Sequence, residues 1–134
     1  MSEEHDVNEW FRLAEMDWQT AAHLYKNMYP KPREIICFLC QQAIEKFLKG
    51  LLMNYGLPIM KTHDLTALVE LLPDNVQLSD EYKLICAKLS VYAVKIRYPH
   101  ELNLEEFHVD KAIEETNKLY VWLSEYIHQK GGYP

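Results

Sequence analysis

The sequence predicts an all-α fold, an up-and-down antiparallel bundle of about five helices, four long and one short. Three observations carry that expectation. Apolar residues recur at spacings of three and four over long stretches, the period of one helix face. Only 4 glycines and 6 prolines punctuate the chain, and strong helix formers (Leu, Glu, Lys, Ala, Met) fill the stretches between. At 134 residues the chain has the length of one ordinary domain, so residues 1–134 are expected to share a single core.

The first helix is expected from about Val7 to Met28, where Trp10, Leu13, Ala14, Asp17, Ala21, Leu24, Tyr25 and Met28 keep the helical spacing. The stretch YPKPRE interrupts it. Pro32 suits the first turn of a new helix, where its missing N–H would have no intrahelical partner. The second helix, roughly Arg33 to Tyr55, carries Ile35, Ile36, Phe38, Leu39, Ala43, Phe47, Leu51 and Leu52. That apolar band is wide enough to face two neighbours, which predicts the central helix of the bundle. Gly56 and Pro58 stop it, since glycine accepts the left-handed C′ position and proline cannot continue a helix.

Thr62 is the expected N-cap of the short third helix, with Asp64 in its first turn, Leu65, Leu68, Val69 and Leu72 on its face, and Pro73 closing it. Ser79 is expected to cap the fourth helix, whose stripe is Leu84, Ile85, Leu89, Tyr92, Ala93 and Ile96. This helix should end near Arg97, because Tyr98 precedes Pro99 and is pushed out of helical conformation. In NLEE, Asn103 and Glu106 have the spacing of a capping box that opens the fifth helix. Its face runs through Phe107, Ile113, Thr116, Leu119, Tyr120, Leu123 and Ile127.

Composition narrows the function classes. Hydrophobic residues make up 49% and charged residues 25%, which is a globular profile and not a disordered one. No segment runs through about 18 apolar residues, so no membrane span is expected. The opening MSEEHDVNEW lacks the apolar stretch of a signal peptide, and a cytoplasmic location is expected. Three cysteines without a secretory signal argue for reduced thiols. Cys37 and Cys40 have C-x-x-C spacing, but they sit well inside the second helix and read as buried small hydrophobes. None of the six histidines pairs with another at the i, i+4 spacing of a zinc site, and no glycine-rich phosphate loop is present, so neither metal nor cofactor is expected.

The net charge of −6 is unevenly spread: residues 26–63 hold six basic side chains against Glu34 and Glu45, while both flanks are acidic. Overall charge therefore cannot drive nucleic-acid binding, although a nucleotide or a short strand can be held locally. Within the basic segment, QQAIEKFLKG places Gln42, Glu45, Lys46 and Lys49 within two turns. Gln42–Lys46 and Glu45–Lys49 are i, i+4 pairs that can simply stabilise an exposed helix face. The functional reading is a polar stripe able to donate to phosphate or base. In VKIRYPHE, Arg97 can complement the negative end of the fourth helix. The functional alternative has Arg97 stabilising a phosphoryl charge and His100 moving a proton.

The aromatic first helix with AEMDWQTAAHLY, CFLCQQAIEKFLKGLL in the second, the KTHDL lead-in to the third and the IRYPHE exit from the fourth together resemble a HEPN-domain protein, from about Trp10 to Leu123. The resemblance implies a helical bundle, commonly a homodimer, that often works beside a minimal nucleotidyltransferase. It also implies a link to nucleotide binding and, in some branches, to metal-independent ribonucleases of toxin–antitoxin systems. Those nucleases carry R-x(4–6)-H. Here only two residues separate Arg97 from His100, and ten separate it from His108, so the pattern is that of a non-nuclease RYP corner. The resemblance carries over Arg97, Tyr98, Gln42, Glu45, Lys46, Lys49 and His63 as ligand-binding candidates.

Three functions are consistent with these residues. The first is a binding module for a nucleotide or a nucleotidyltransferase partner in a toxin–antitoxin-like system. The second is a ribonuclease with an irregular Arg97/His100 site. The third is a dimerising scaffold without a ligand.

Overall fold

In the computed structural model, which describes residues 3–95 and 103–129, the chain forms five helices: α1 (Glu3–Asn27), α2 (Arg33–Asn54), α3 (Leu65–Glu70), α4 (Asp80–Lys95) and α5 (Glu106–Gln129). No strand occurs among the described residues. Four helices are long and one is short, as the periodicity predicts. Ile96, Arg97, Tyr98, Pro99 and His100, and with them the expected end of the fourth helix near Arg97, lie outside the described residues.

Side-chain pairings fix the directions of the helices. Phe11 packs on Phe47 and Asp17 bonds Lys46, so α1 runs against α2. Lys88 meets Glu115 and Tyr82 meets Trp122, so α4 runs against α5. Phe47 lies edge-on to Tyr120, and Tyr55 Oη is 2.6 Å from Tyr126 Oη, so α2 and α5 run the same way. The bundle is therefore antiparallel and up-and-down.

Helix α2 contacts every other helix, and 13 of its 22 residues are buried. A helix covered on nearly all sides must bury whatever polar residues it carries. Its start differs from expectation: Pro32 occupies the N-cap position and not the first turn, and its carbonyl accepts from Ile36 N–H at 3.0 Å. Its end follows expectation. Gly56 adopts φ +71°, its N–H reaches the Met53 carbonyl, and Leu57 N–H reaches the Leu52 carbonyl. This pair of bonds satisfies two carbonyls that the helix end leaves open and turns the chain back.

Two other caps are displaced from their predicted residues. Asp64, not Thr62, caps α3, its carboxylate accepting from Thr66 N–H at 3.0 Å, while the Thr62 hydroxyl accepts from Asp64 N–H one step outside. Helix α5 begins at Glu106, and neither Asn103 nor Glu106 makes the predicted box. His108 Nδ1 instead accepts from Glu105 N–H at 2.9 Å, the reach-back half of a box set two residues later. Ser79 caps α4 as predicted, with its hydroxyl accepting from Tyr82 N–H.

One apolar cluster draws on all five helices. Burial of each Leu or Ile in it contributes about 1.5–3 kcal/mol. The predicted stripes are broadly the buried ones, but Met28, Ile35, Leu84 and Phe107 are exposed. On α4 the core face comprises Ile85, Cys86, Leu89 and Ala93, which leaves Leu84 one residue outside it.

All three cysteines are buried and unbridged. Burial pushes each thiol up to about 12, so almost no thiolate exists near neutrality. The native protein at pH 8 is expected to resist iodoacetamide at Cys37, Cys40 and Cys86 and to take up three labels in denaturant. Mass spectrometry of intact protein would check this, and rapid native labelling would contradict it.

Candidate functional site

The residues of QQAIEKFLKG form a buried polar network on α2. Glu45 is its centre, with its side chain only 5% exposed. Four groups donate to its carboxylate: Gln41 Nε2 at 3.0 Å, His63 Nδ1 at 2.9 Å and Gln42 Nε2 at 3.4 Å to Oε1, and Lys49 Nζ at 3.0 Å to Oε2. Burial alone would raise the pKa of this carboxylic acid. The hydrogen bonds from Gln41, His63 and Lys49, together with the charge of Lys49, outweigh that effect and hold Glu45 below the ordinary carboxylate value. It is therefore ionised at neutral pH.

An ionised carboxylate only accepts hydrogen bonds, so the proton between Glu45 and His63 sits on Nδ1. The imidazole is oriented from behind by a buried charge, while the His63 side chain itself is 57% exposed. Its backbone is held as well. Gln41 Nε2 donates to the His63 carbonyl at 3.0 Å. Two residues on, Leu65 N–H donates to Ser90 Oγ of α4 at 2.8 Å. The loop that delivers His63 is thus tied to both α2 and α4.

The predicted site residues divide in their placement. Gln42, Glu45, Lys49 and His63 come together. The predicted Glu45–Lys49 pair forms, but it is buried, with Lys49 8% exposed. Lys46 turns the other way and pairs with Asp17 of α1 at 2.6 Å, not with Gln42. Gln41, which is completely buried, is not among the predicted residues. The register i, i+4, i+8 through Gln41, Glu45 and Lys49 is the sequence signal that marks it, because three polar residues on one face of an otherwise apolar helix must satisfy one another.

A cavity of about 530 Å³ lies elsewhere, between the 72–78 loop and its neighbouring helices, lined by Thr66, Val69, Leu72, Val76, Leu78 and Cys86 among others. None of its lining residues belongs to the Glu45 network. Among the described residues, no group of three or more His, Cys, Asp or Glu is arranged to hold a metal ion. No helix among them is long and apolar enough to cross a membrane.

Two solved structures share this architecture. TT1696 from Thermus thermophilus superposes with a TM-score of 0.73 at 23% identity, covering 89% of this chain and 96% of that one. ST0689, an archaeal HEPN homologue, superposes with a TM-score of 0.68 at 25% identity, covering 90% and 97%. No curated protein matches the sequence significantly. The family model of the HEPN domain matches residues 7–126, a span that takes in α2, the His63 loop and nearly all of α5, and the chain therefore belongs to the HEPN domain family.

Proposed function

We propose that this chain is a nucleotide-binding HEPN module that acts as a homodimer beside a minimal nucleotidyltransferase in a toxin–antitoxin-like system. The observation that carries the binding half is the exposed His63, fixed by the buried, ionised Glu45. Folding a charged network into the most covered helix incurs a desolvation penalty, and here its outward product is one oriented imidazole. Orienting a contact group before the ligand arrives reduces the entropy lost on binding. In this reading Gln42 and His63 contact the ligand, while Glu45 and Lys49 position them, and Lys46 is held away by Asp17. Arg97 supplies the phosphate contact and Tyr98 a flanking surface.

Equilibrium dialysis of ATP, GTP and a short RNA against the full chain tests the proposal. Saturable binding is expected, and Arg97→Ala should weaken it about tenfold or more, the equivalent of one charge-assisted hydrogen bond of about 1.5–3 kcal/mol. The absence of saturable binding for all three ligands would overturn it. Cleavage of the RNA in EDTA that disappears in His100→Ala would replace it with the ribonuclease reading.

A further inference from the structure

We infer that the Gln42–His63 edge of the network recognises the hydrogen-bond donors of a nucleoside, its ribose hydroxyls or an exocyclic amine, and does not recognise phosphate. The inference rests on the nucleotide-binding reading above and follows from an account of every donor and acceptor in the network.

The amide orientations are forced. Gln41 faces the Glu45 carboxylate and the His63 carbonyl, both acceptors, so its NH₂ group points there and both protons are used. Its oxygen is left to accept from Gln42 Nε2 at 2.8 Å. The Gln42 amide in turn lies against Gln41 Oε1 and Glu45 Oε1, again two acceptors, so its NH₂ group points inward as well. The outward atom of Gln42 is therefore Oε1, an acceptor. No polar atom of Gln42 is buried without a partner, so that oxygen reaches solvent.

His63 resolves the same way. Its Nδ1 proton is committed to Glu45. In the neutral form of the ring, Nε2 is then the atom that carries the lone pair. Gln42 and His63 thus both turn a donor toward Glu45 Oε1 and leave Gln42 Oε1 and, in the neutral ring, His63 Nε2 as acceptors on their outward sides, with both protons of each glutamine amide spent inside the network.

The cations nearby do not change this account. Lys49 is buried against Glu45, and Lys46 is held by Asp17. The charged residues that flank His63 in sequence are Lys61 and Asp64, both exposed and of opposite sign, so they supply no net positive field. A phosphate, which carries only acceptors, would meet acceptors. A ribose diol or a base amino group would meet its complement.

The test uses the full chain. Binding of adenosine or guanosine, according to which triphosphate binds, is compared with binding of inosine, the 2′-deoxynucleoside and sodium tripolyphosphate, in the wild type, His63→Phe and Gln42→Leu. The nucleoside is expected to bind measurably, weaker than its triphosphate by roughly the tenfold or more that the Arg97 contact supplies, and tripolyphosphate should not displace the bound nucleoside. Each variant should weaken the nucleoside fivefold or more. Weakening with inosine assigns the recognised donor to the amine, and weakening with the 2′-deoxynucleoside assigns it to the ribose. Should His63→Phe fail to fold, Gln42→Leu decides alone.

The inference is overturned if tripolyphosphate displaces the nucleoside, if neither analogue weakens binding, or if the variants leave nucleoside affinity unchanged. It also falls if no triphosphate or nucleoside binds. In that case the broader reading survives only if the short RNA is bound.

Discussion

Replacing Glu45 with alanine is expected to destabilise the protein by about 3–5 kcal/mol, the range for removing one partner of a buried ion pair. That loss would lower the thermal midpoint by about 10–20 °C. The damage goes beyond the missing bonds. Lys49, 8% exposed, would retain its charge without a counter-ion. Gln41, completely buried, would lose one of the two acceptors its amide reaches and keep only the His63 carbonyl. The double variant Glu45→Ala/Lys49→Met is therefore expected to recover more than half of the loss, because it removes the stranded ammonium. A loss below about 1 kcal/mol in the single variant would mean that Glu45 behaves as a surface residue.

The same carboxylate gives the stability a predictable dependence on acid. Its folded value lies below its unfolded value, which is about 4.3 for a free glutamate. Its contribution is thus complete above the unfolded value and disappears as pH falls through the folded one. Glu45→Gln cannot titrate, so the stability gap between wild type and Glu45→Gln should be widest near pH 6 and should shrink progressively below pH 4. Urea melts across that range would measure it, and a gap independent of pH would contradict the ionised state.

Gly50→Val is expected to be the most damaging conservative change outside the polar network, at about 2–3 kcal/mol or more. Gly50 marks the close approach of α1 to α2. A Cβ there would stand 2.8 Å from Phe11 Cε1 and 3.0 Å from both Phe11 Cδ1 and Trp10 Cβ. Phe11 cannot swing aside, because it is buried and its ring packs on Phe47 with centroids 4.8 Å apart. Alanine would gain about 0.5–1 kcal/mol of helix propensity over glycine, against about 1–3 kcal/mol of overpacking, for a net loss of no more than about 2.5 kcal/mol. Valine adds two methyl groups to the same gap and lacks most of that propensity gain. Denaturant unfolding should order the proteins wild type, Gly50→Ala, Gly50→Val. A valine variant as stable as wild type would show that α1 and α2 are not in close contact at this point.

The legible parts of the fold are those that depend on neighbours in sequence. The bounds of α2 and the stop at Gly56 can be read closely, because a broad apolar band and a glycine near a proline act locally. The caps of α3 and α5 each fall two residues from their predicted places, since Thr62 and Asp64, or Asn103 and Glu105, are chemically close enough that the path of the turn decides between them. Asp17 lies on the periodic face of the first helix for a reason that no local pattern supplies. Its partner, Lys46, is 29 positions away, and only the antiparallel packing of α1 on α2 brings them together. Within the site, Glu45, Gln42, Lys49 and His63 are legible in the sequence, but as a solvated stripe. That the stripe is buried depends on how many helices cover α2, which local pattern does not reveal.

The turn at Gly56 also affects the order in which the site can assemble. By folding the chain back on α2, it lets His63 reach Glu45 across 18 positions and Gln41 across 22, whereas the contact between Tyr25 and Asp110 spans 85. With loop-closure entropy growing as the logarithm of length, the 18-residue closure loses about 1.4 kcal/mol less than the 85-residue one. The imidazole and its carboxylate can therefore find each other within a segment that is already synthesised before α5 exists.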